Sequence, residues 1–235
     1  MAIDGFRRVV KQYDQTCEQL DKLGKSLIGS VKVSVPYYWT ASYADQLIDA
    51  FLEQHPDCSV SIVPCLPLAG YRQMLEGESD IALMPELTST PEGVECLPFA
   101  DDSINAVLNV NNPLAKRGSI SFSEVFKSGY TVFLTPAYRN HLLEMQKCYE
   151  FAERANAQIG NMEQIEMTPI LLRDANGITL ATASAGNMDR QYLTTVPLTG
   201  KDSTMRLCFY WHANVDNPAL LAFIKKAREM AKIEL

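Results

Sequence analysis

The chain has 235 residues, a formal net charge of −7, 47% hydrophobic residues and 21% charged ones. That length fits one large domain or two small ones, with the composition of an ordinary globular protein. The acidic balance disfavours nucleic-acid binding by this chain itself, and no apolar run approaches the ~20 residues that cross a bilayer.

Residues 1–28 read as one helix. Ile3, Phe6, Val10, Tyr13, Cys17, Leu20, Gly24 and Leu27 recur at alternating spacings of three and four, the seam of a heptad repeat. Such a stripe recruits a partner helix, so dimerisation is expected here; packing on its own domain is the alternative. The stretch MAIDGFRRVVKQYDQTCEQL has no continuous apolar core and is not read as a signal peptide. A cytoplasmic protein is expected.

From Gly29 the period changes. SVKVSV alternates as a strand, and an aromatic turn, Pro36-Tyr37-Tyr38-Trp39-Thr40-Ala41-Ser42, leads into a helix from about Thr40 or Ser42. SVSIVP is a second strand, CLPLAG a turn into a short helix stopped by EGES, and DIALM a third, buried strand. This β-α-β-α-β order predicts parallel strands with right-handed crossovers.

A strand is expected near Ser103 to Val110, with the adjacent Asp101 and Asp102 on a solvated turn. Ser121 to Glu124 has the S-x-x-E form of a capping box. YTVFL is a further buried strand, and a long helix follows TPAYR. MEQIEMT alternates, PILLRDANGITLATASAG reads as a short helix with a Gly turn, and TTVPL as part of a connector. A strand near Met205 to Trp211 precedes a final helix opened by Asp216-Asn217-Pro218, where proline suits the first turn.

The six cysteines form no C-x-x-C pair, and the three histidines lie far apart. Reduced thiols are expected, with a redox role for Cys65 as a minor reading, and neither a metal nor a cofactor is implied. No nucleophile–base pairing or phosphate-cradling glycine loop stands out, so an enzyme is disfavoured.

Several stretches together resemble a known family: GSVKVSV, LIDAFLEQHPDCSVSI, MLEGESDIALM, NNPLAKRGSISFSEV, NGITL and NPALLAFIKKARE, in that order behind a seamed helix. The chain is similar to the effector-binding domain of LysR-type transcriptional regulators with that family's linker helix. The resemblance implies an α/β fold like that of type 2 periplasmic-binding proteins. The linker helix would span 1–28, the first subdomain 29–107 plus 206–235, and the second 108–205. Two crossover strands, near Ile104 to Val110 and Met205 to Trp211, would form the hinge. The family's winged helix-turn-helix should precede the linker helix and is not seen, which reads as a piece of a longer regulator or as a natural fragment. DNA would then be bound only through that missing part.

Ligands of open α/β sheets lie beyond the carboxyl ends of the strands. That rule selects Tyr38, Trp39, Thr40 and Ser42, then Cys65, Leu66 and Pro67, then Pro85. From the second subdomain it selects Thr135, Tyr138, Arg139, Gly177 and Thr179. Thr40 or Ser42 is a candidate helix cap. Arg139 is either a carboxylate partner or an ordinary surface arginine. The rings point to a small-molecule effector, an aromatic or apolar carboxylate, bound by a homodimer or homotetramer with no membrane role. An alternative is a solute-binding protein of the same fold that feeds a transporter.

Overall fold

The computed structural model describes residues 27–185 and 191–231. The seam positions Ile3, Phe6, Val10, Tyr13, Cys17 and Leu20 lie outside that range. Leu27, the last of them, packs against the core of its own chain, and its carbonyl accepts a hydrogen bond from the Cys58 thiol at 3.2 Å.

The first strands follow the expected order. β1 (Gly29–Pro36) buries Val31, Val33 and Val35. It is flanked in parallel by β2 (Cys58–Cys65) and by β3 (Ile81–Pro85), whose five residues are all buried. Helix α1 (Asp45–Gln54) turns Leu47 and Phe51 inward, and α2 (Pro67–Leu75) buries Met74. The backbone is already helical at Tyr37–Trp39 and passes through a wider turn at Thr40–Ala44 before α1. Thr40 and Ser42 therefore lie inside helical backbone, and α1 starts after Ala44 with no side-chain cap, so the capping role expected of Ser42 is not what the fold uses.

β4 (Val94–Asn109) is 16 residues long and starts well before the expected Ser103. Its first part pairs antiparallel with β10 (Thr204–His212), which also pairs with β3. Its second part, from Ile104 onward, pairs antiparallel with β8 (Gly177–Thr182) and β9 (Leu193–Thr199). One strand thus serves both halves of a sheet ordered β2-β1-β3-β10-β4-β8-β6-β7. In the second half, β6 (Thr131–Leu134) runs parallel to β7 (Ile159–Asn161) and to β8.

The capping box forms in full. Ser121, at the end of the short β5 (Ile120–Ser121), accepts from Glu124 N, and Glu124 in turn accepts from Ser121 N at the start of α3 (Phe122–Phe126). The long helix α4 (Leu143–Arg154) begins later than TPAYR implied. Pro136–Tyr138 forms a separate 3₁₀ turn, and Leu142 is extended and bridges to Leu87.

Two expectations fail locally. MEQIEMT is not a strand: β7 ends before it, where Gly160 fits beneath the Phe133 ring, and Ile165–Met167 is a 3₁₀ turn leading into α5 (Thr168–Leu171). The stretch TTVPL, read as a connector, is part of β9, where alternate residues Val196 and Leu198 are buried.

The closing helix α6 (Pro218–Met230) returns to the first half, and its Phe223 meets Phe51 of α1 edge-on at 5.3 Å. Asn217 caps it by accepting from Ala219 N and Leu220 N, and its amide donates to Ser30 O of β1 at 3.0 Å. One side chain therefore both starts the helix and ties it to the sheet. Replacing Asn217 by Ala is expected to lower the unfolding free energy by about 1–2 kcal/mol, measured as a shift in the urea midpoint with an unchanged slope.

Candidate functional site

The carboxyl ends of β1, β2, β3, β6, β7 and β8 surround a single cavity of about 90 Å³. The helical turn after β1 contributes Tyr38 and Trp39. Leu66 follows β2, Pro85 ends β3, and Met205 comes from β10. The opposite wall carries Phe133, Leu134, Thr135, Tyr138, Leu142 and Met145, together with Met162 to Ile165 after β7 and Leu180 to Thr182 at the end of β8, joined by Ala185. Rings and methionines dominate, and the charge among these residues is the carboxylate of Glu163. The described lining holds no Lys, Arg or His.

Burial raises the Tyr38 phenol well above its ordinary value, and the neighbouring Tyr138 and Glu166 push it the same way. Tyr138 is raised too, first by burial and then by Glu166. Both stay protonated near neutrality, so each presents a hydroxyl rather than a charge. Thr182 is 4% exposed, and its hydroxyl has no hydrogen-bond partner among the described residues. A buried hydroxyl left this way costs free energy unless something else pairs with it.

Below the cavity a buried carboxylate joins the two walls. Asp102 Oδ2 accepts from Trp39 Nε1 at 3.1 Å, and Oδ1 accepts from Ser184 N at 3.4 Å. Asp102 lies opposite Met205, just before β4 changes partner from β10 to β8 at Ile104. The sequence expectation of a solvated acidic turn is therefore corrected. Strand alternation sends Asp101 outward to Arg206 at 3.1 Å and Asp102 inward, 3% exposed.

The model of the LysR substrate binding domain matches residues 24–232. The chain belongs to the LysR substrate-binding-domain family. Solved structures show the same fold, that of type 2 periplasmic-binding proteins. The effector-binding domain of QuiR in complex with shikimate is 18% identical, with 87% of this chain and 98% of that one covered, at a TM-score of 0.71. The effector-binding domain of BenM with benzoate is 11% identical, with 87% and 93% covered, at 0.70. CbnR, a LysR family transcriptional regulator, is 13% identical, with 97% and 78% covered, at 0.70. A comparison with curated protein sequences gave no match. Membership of the LysR family assigns the chain to transcription regulation and effector binding. Among the described residues no helix is long and apolar enough to cross a membrane.

Within this LysR domain, Tyr38, Trp39, Leu66, Pro85, Thr135 and Tyr138 come together around the cavity. Trp39 is 1% exposed and spends its N–H on Asp102, so it forms a wall rather than an accessible ring. Cys65 lies beside Tyr38 and Tyr138, and burial pushes its thiol up to about 11, which leaves little thiolate for redox chemistry. Thr40 and Pro67 lie next to lining residues in sequence. Ser42 is exposed and not part of the lining.

Arg139 stands outside the cavity. It pairs with Glu153 and lies over the Tyr149 ring at 4.9 Å. Gly177 is at the far end of β8, against Leu172 and Phe133. Thr179 donates to Phe133 O at 2.9 Å, its hydroxyl already used. The sequence reading picked the strand's middle; the free hydroxyl, Thr182, is at its carboxyl end, as the same strand-end rule, applied with the strand's true length, would indicate.

Replacing Asp102 by Ala orphans the Trp39 indole and the Ser184 amide. Hydrogen bonds to charged groups contribute about 1.5–3 kcal/mol each. The expected result is a loss of at least about 2 kcal/mol in chemical denaturation, with a changed Trp39 emission.

Proposed function

We propose that this chain is the sensory part of a LysR-type DNA-binding transcriptional regulator, working in the cytoplasm as a homodimer or homotetramer. A small-molecule effector enters the cavity between a subdomain of about residues 29–107 plus 206–235 and one of about 108–205. The resulting change in their relation is passed through the leading helix to DNA-binding heads outside this chain. The observation that carries this reading is a cavity at the carboxyl ends of six strands, with a buried hydroxyl, Thr182, that has no hydrogen-bond partner among the described residues. The complexes of QuiR with shikimate and BenM with benzoate support it by likeness of fold.

The lining also constrains the effector. Rings and thioethers favour a flat or apolar body. Thr182, Tyr38 and Tyr138 offer hydroxyls to a polar substituent. A carboxylate would find no cationic side chain among the described lining residues and would depend on hydroxyls and backbone amides, so a neutral aromatic with one hydroxyl or carbonyl fits better.

Size matters as well. An apolar cavity of about 150 Å³ accommodates benzene, whereas this one measures about 90 Å³. This cleft is partly open to solvent, so an aromatic effector can lie partly outside that volume, and it shifts any equilibrium between arrangements only as far as it prefers one of them.

A thermal-shift screen with phenol, benzamide, benzoate and shikimate tests the reading. A ligand at about 100 times its dissociation constant adds roughly 2.7 kcal/mol. Thr182→Val is then expected to act in opposite directions. It should stabilise the free protein by about 1 kcal/mol, because an unpartnered hydroxyl is removed, and weaken a hydroxyl- or carbonyl-bearing ligand about tenfold. Equal binding to both proteins by calorimetry would remove Thr182 from the site.

A further inference from the structure

Among the described residues seven large apolar side chains stand exposed, and four of them, Tyr37, Leu66, Met167 and Ile170, belong to the segments that form the cleft. Leu66 is part of the lining, Tyr37 precedes the lining residue Tyr38, and Met167 comes two residues after the lining residue Ile165. Single exposed apolar groups are ordinary on a protein surface, whereas a patch gathered at the opening of a cavity marks a binding surface.

Two apolar runs leave the cavity, one from each wall. On the first, Trp39 is buried, Tyr38 lines the cavity and Tyr37 is 56% exposed. Their rings meet edge-on, at 4.9 Å from Trp39 to Tyr38 and 5.1 Å from Tyr38 to Tyr37, so one aromatic surface continues from the interior to the outside. On the second, Ile165 lines the cavity and opens the 3₁₀ turn that leads into α5. Thr168 and Leu172, one turn apart, are buried, which leaves Glu166, Met167 and Ile170 on the outer side, with Ile170 77% exposed. Burial raises the Tyr37 phenol, and Glu166 adds to that, as it does at Tyr38 and Tyr138. Glu166 therefore stands at the opening, and Ile170 follows it by one helical turn on the same side.

We propose that the mouth of the cleft is a second subsite, an apolar shelf of Tyr37, Leu66, Met167 and Ile170 that takes an alkyl chain attached to the ring held in the cavity. The inference rests on the cleft being the effector site, and it narrows the effector to a small aromatic with a hydroxyl or carbonyl at one end and a chain of several carbons at the other. The polar substituent meets Thr182 inside, and the chain leaves through the opening. A cavity of about 90 Å³ is smaller than one that holds benzene, so further affinity is gained on the shelf outside it. The Glu163 and Glu166 carboxylates at this opening repel an anionic group on the free end of the chain, so the chain ends uncharged.

The test is calorimetric titration of the whole chain with phenol, 4-ethylphenol, 4-butylphenol and 4-hexylphenol. Full burial of a methylene raises affinity roughly fourfold, and burial on one side, as on an open shelf, roughly twofold. The expected series therefore gains roughly fiftyfold from phenol to 4-hexylphenol, with a heat-capacity change that becomes more negative along it. Ile170 is mostly exposed, so Ile170→Ser leaves the fold intact; it should weaken 4-hexylphenol at least about fivefold and leave phenol unchanged. Phenol binding with no gain along the series overturns the shelf and leaves the cleft reading standing. Binding by none of the four compounds overturns both. A gain that persists in full in Ile170→Ser and in Tyr37→Ser puts the chain elsewhere and overturns the shelf. So does an Ile170→Ser variant with unchanged affinities and a lower mass in sedimentation, which would make this patch a contact between copies of the chain.

Discussion

Asp102 buries its carboxyl group inside the fold, and its two oxygens are answered from opposite sides. Trp39 donates from the turn after β1, and Ser184 N donates from the backbone just beyond β8. A carboxylate buried without partners costs several kcal/mol, so the fold is held to arrangements in which both donors reach it. The residue sits where β4 leaves β10 and takes up β8. The position of the two walls of the cavity relative to each other therefore depends on one side chain, and so does the orientation of Trp39, which forms part of the cavity wall.

This constraint connects the cavity to motion. Trp39 cannot shift to admit a ring without lengthening its bond to Asp102, and Thr182 and Ser184 share the strand end that Asp102 holds. Under the proposed function, occupation of the cleft and separation of its walls would be aspects of one equilibrium. A ligand contributes to it through its differential affinity for the two arrangements.

Much of the fold was legible because its signals are local. Alternation in SVKVSV and the apolar run DIALM mark strands by themselves. The S-x-x-E box and Asn217-Pro218 announce helix starts through bonds spanning two or three residues. The strand-end rule likewise gathered Tyr38, Trp39, Leu66, Pro85, Thr135 and Tyr138 without coordinates. What stayed hidden depends on distant contacts. Trp39 and Asp102 are 63 residues apart, and nothing in an adjacent acidic pair says that one member points inward. β7 and β9 are short or half-exposed strands recognised only by their neighbours. Arg139 sits in a turn whose nearest carboxylate and ring, Glu153 and Tyr149, lie along α4, so it is drawn away from the cleft.

The most direct check is the indole N–H resonance of Trp39, followed by nitrogen-15 NMR while an aromatic ligand from the screen is titrated in. Trp211, buried on β10 away from the cavity lining, serves as the internal reference. The account predicts that the Trp39 signal moves or broadens with the same saturation curve as binding, while that of Trp211 stays in place. A ligand that saturates the protein and leaves the Trp39 indole unchanged would contradict it.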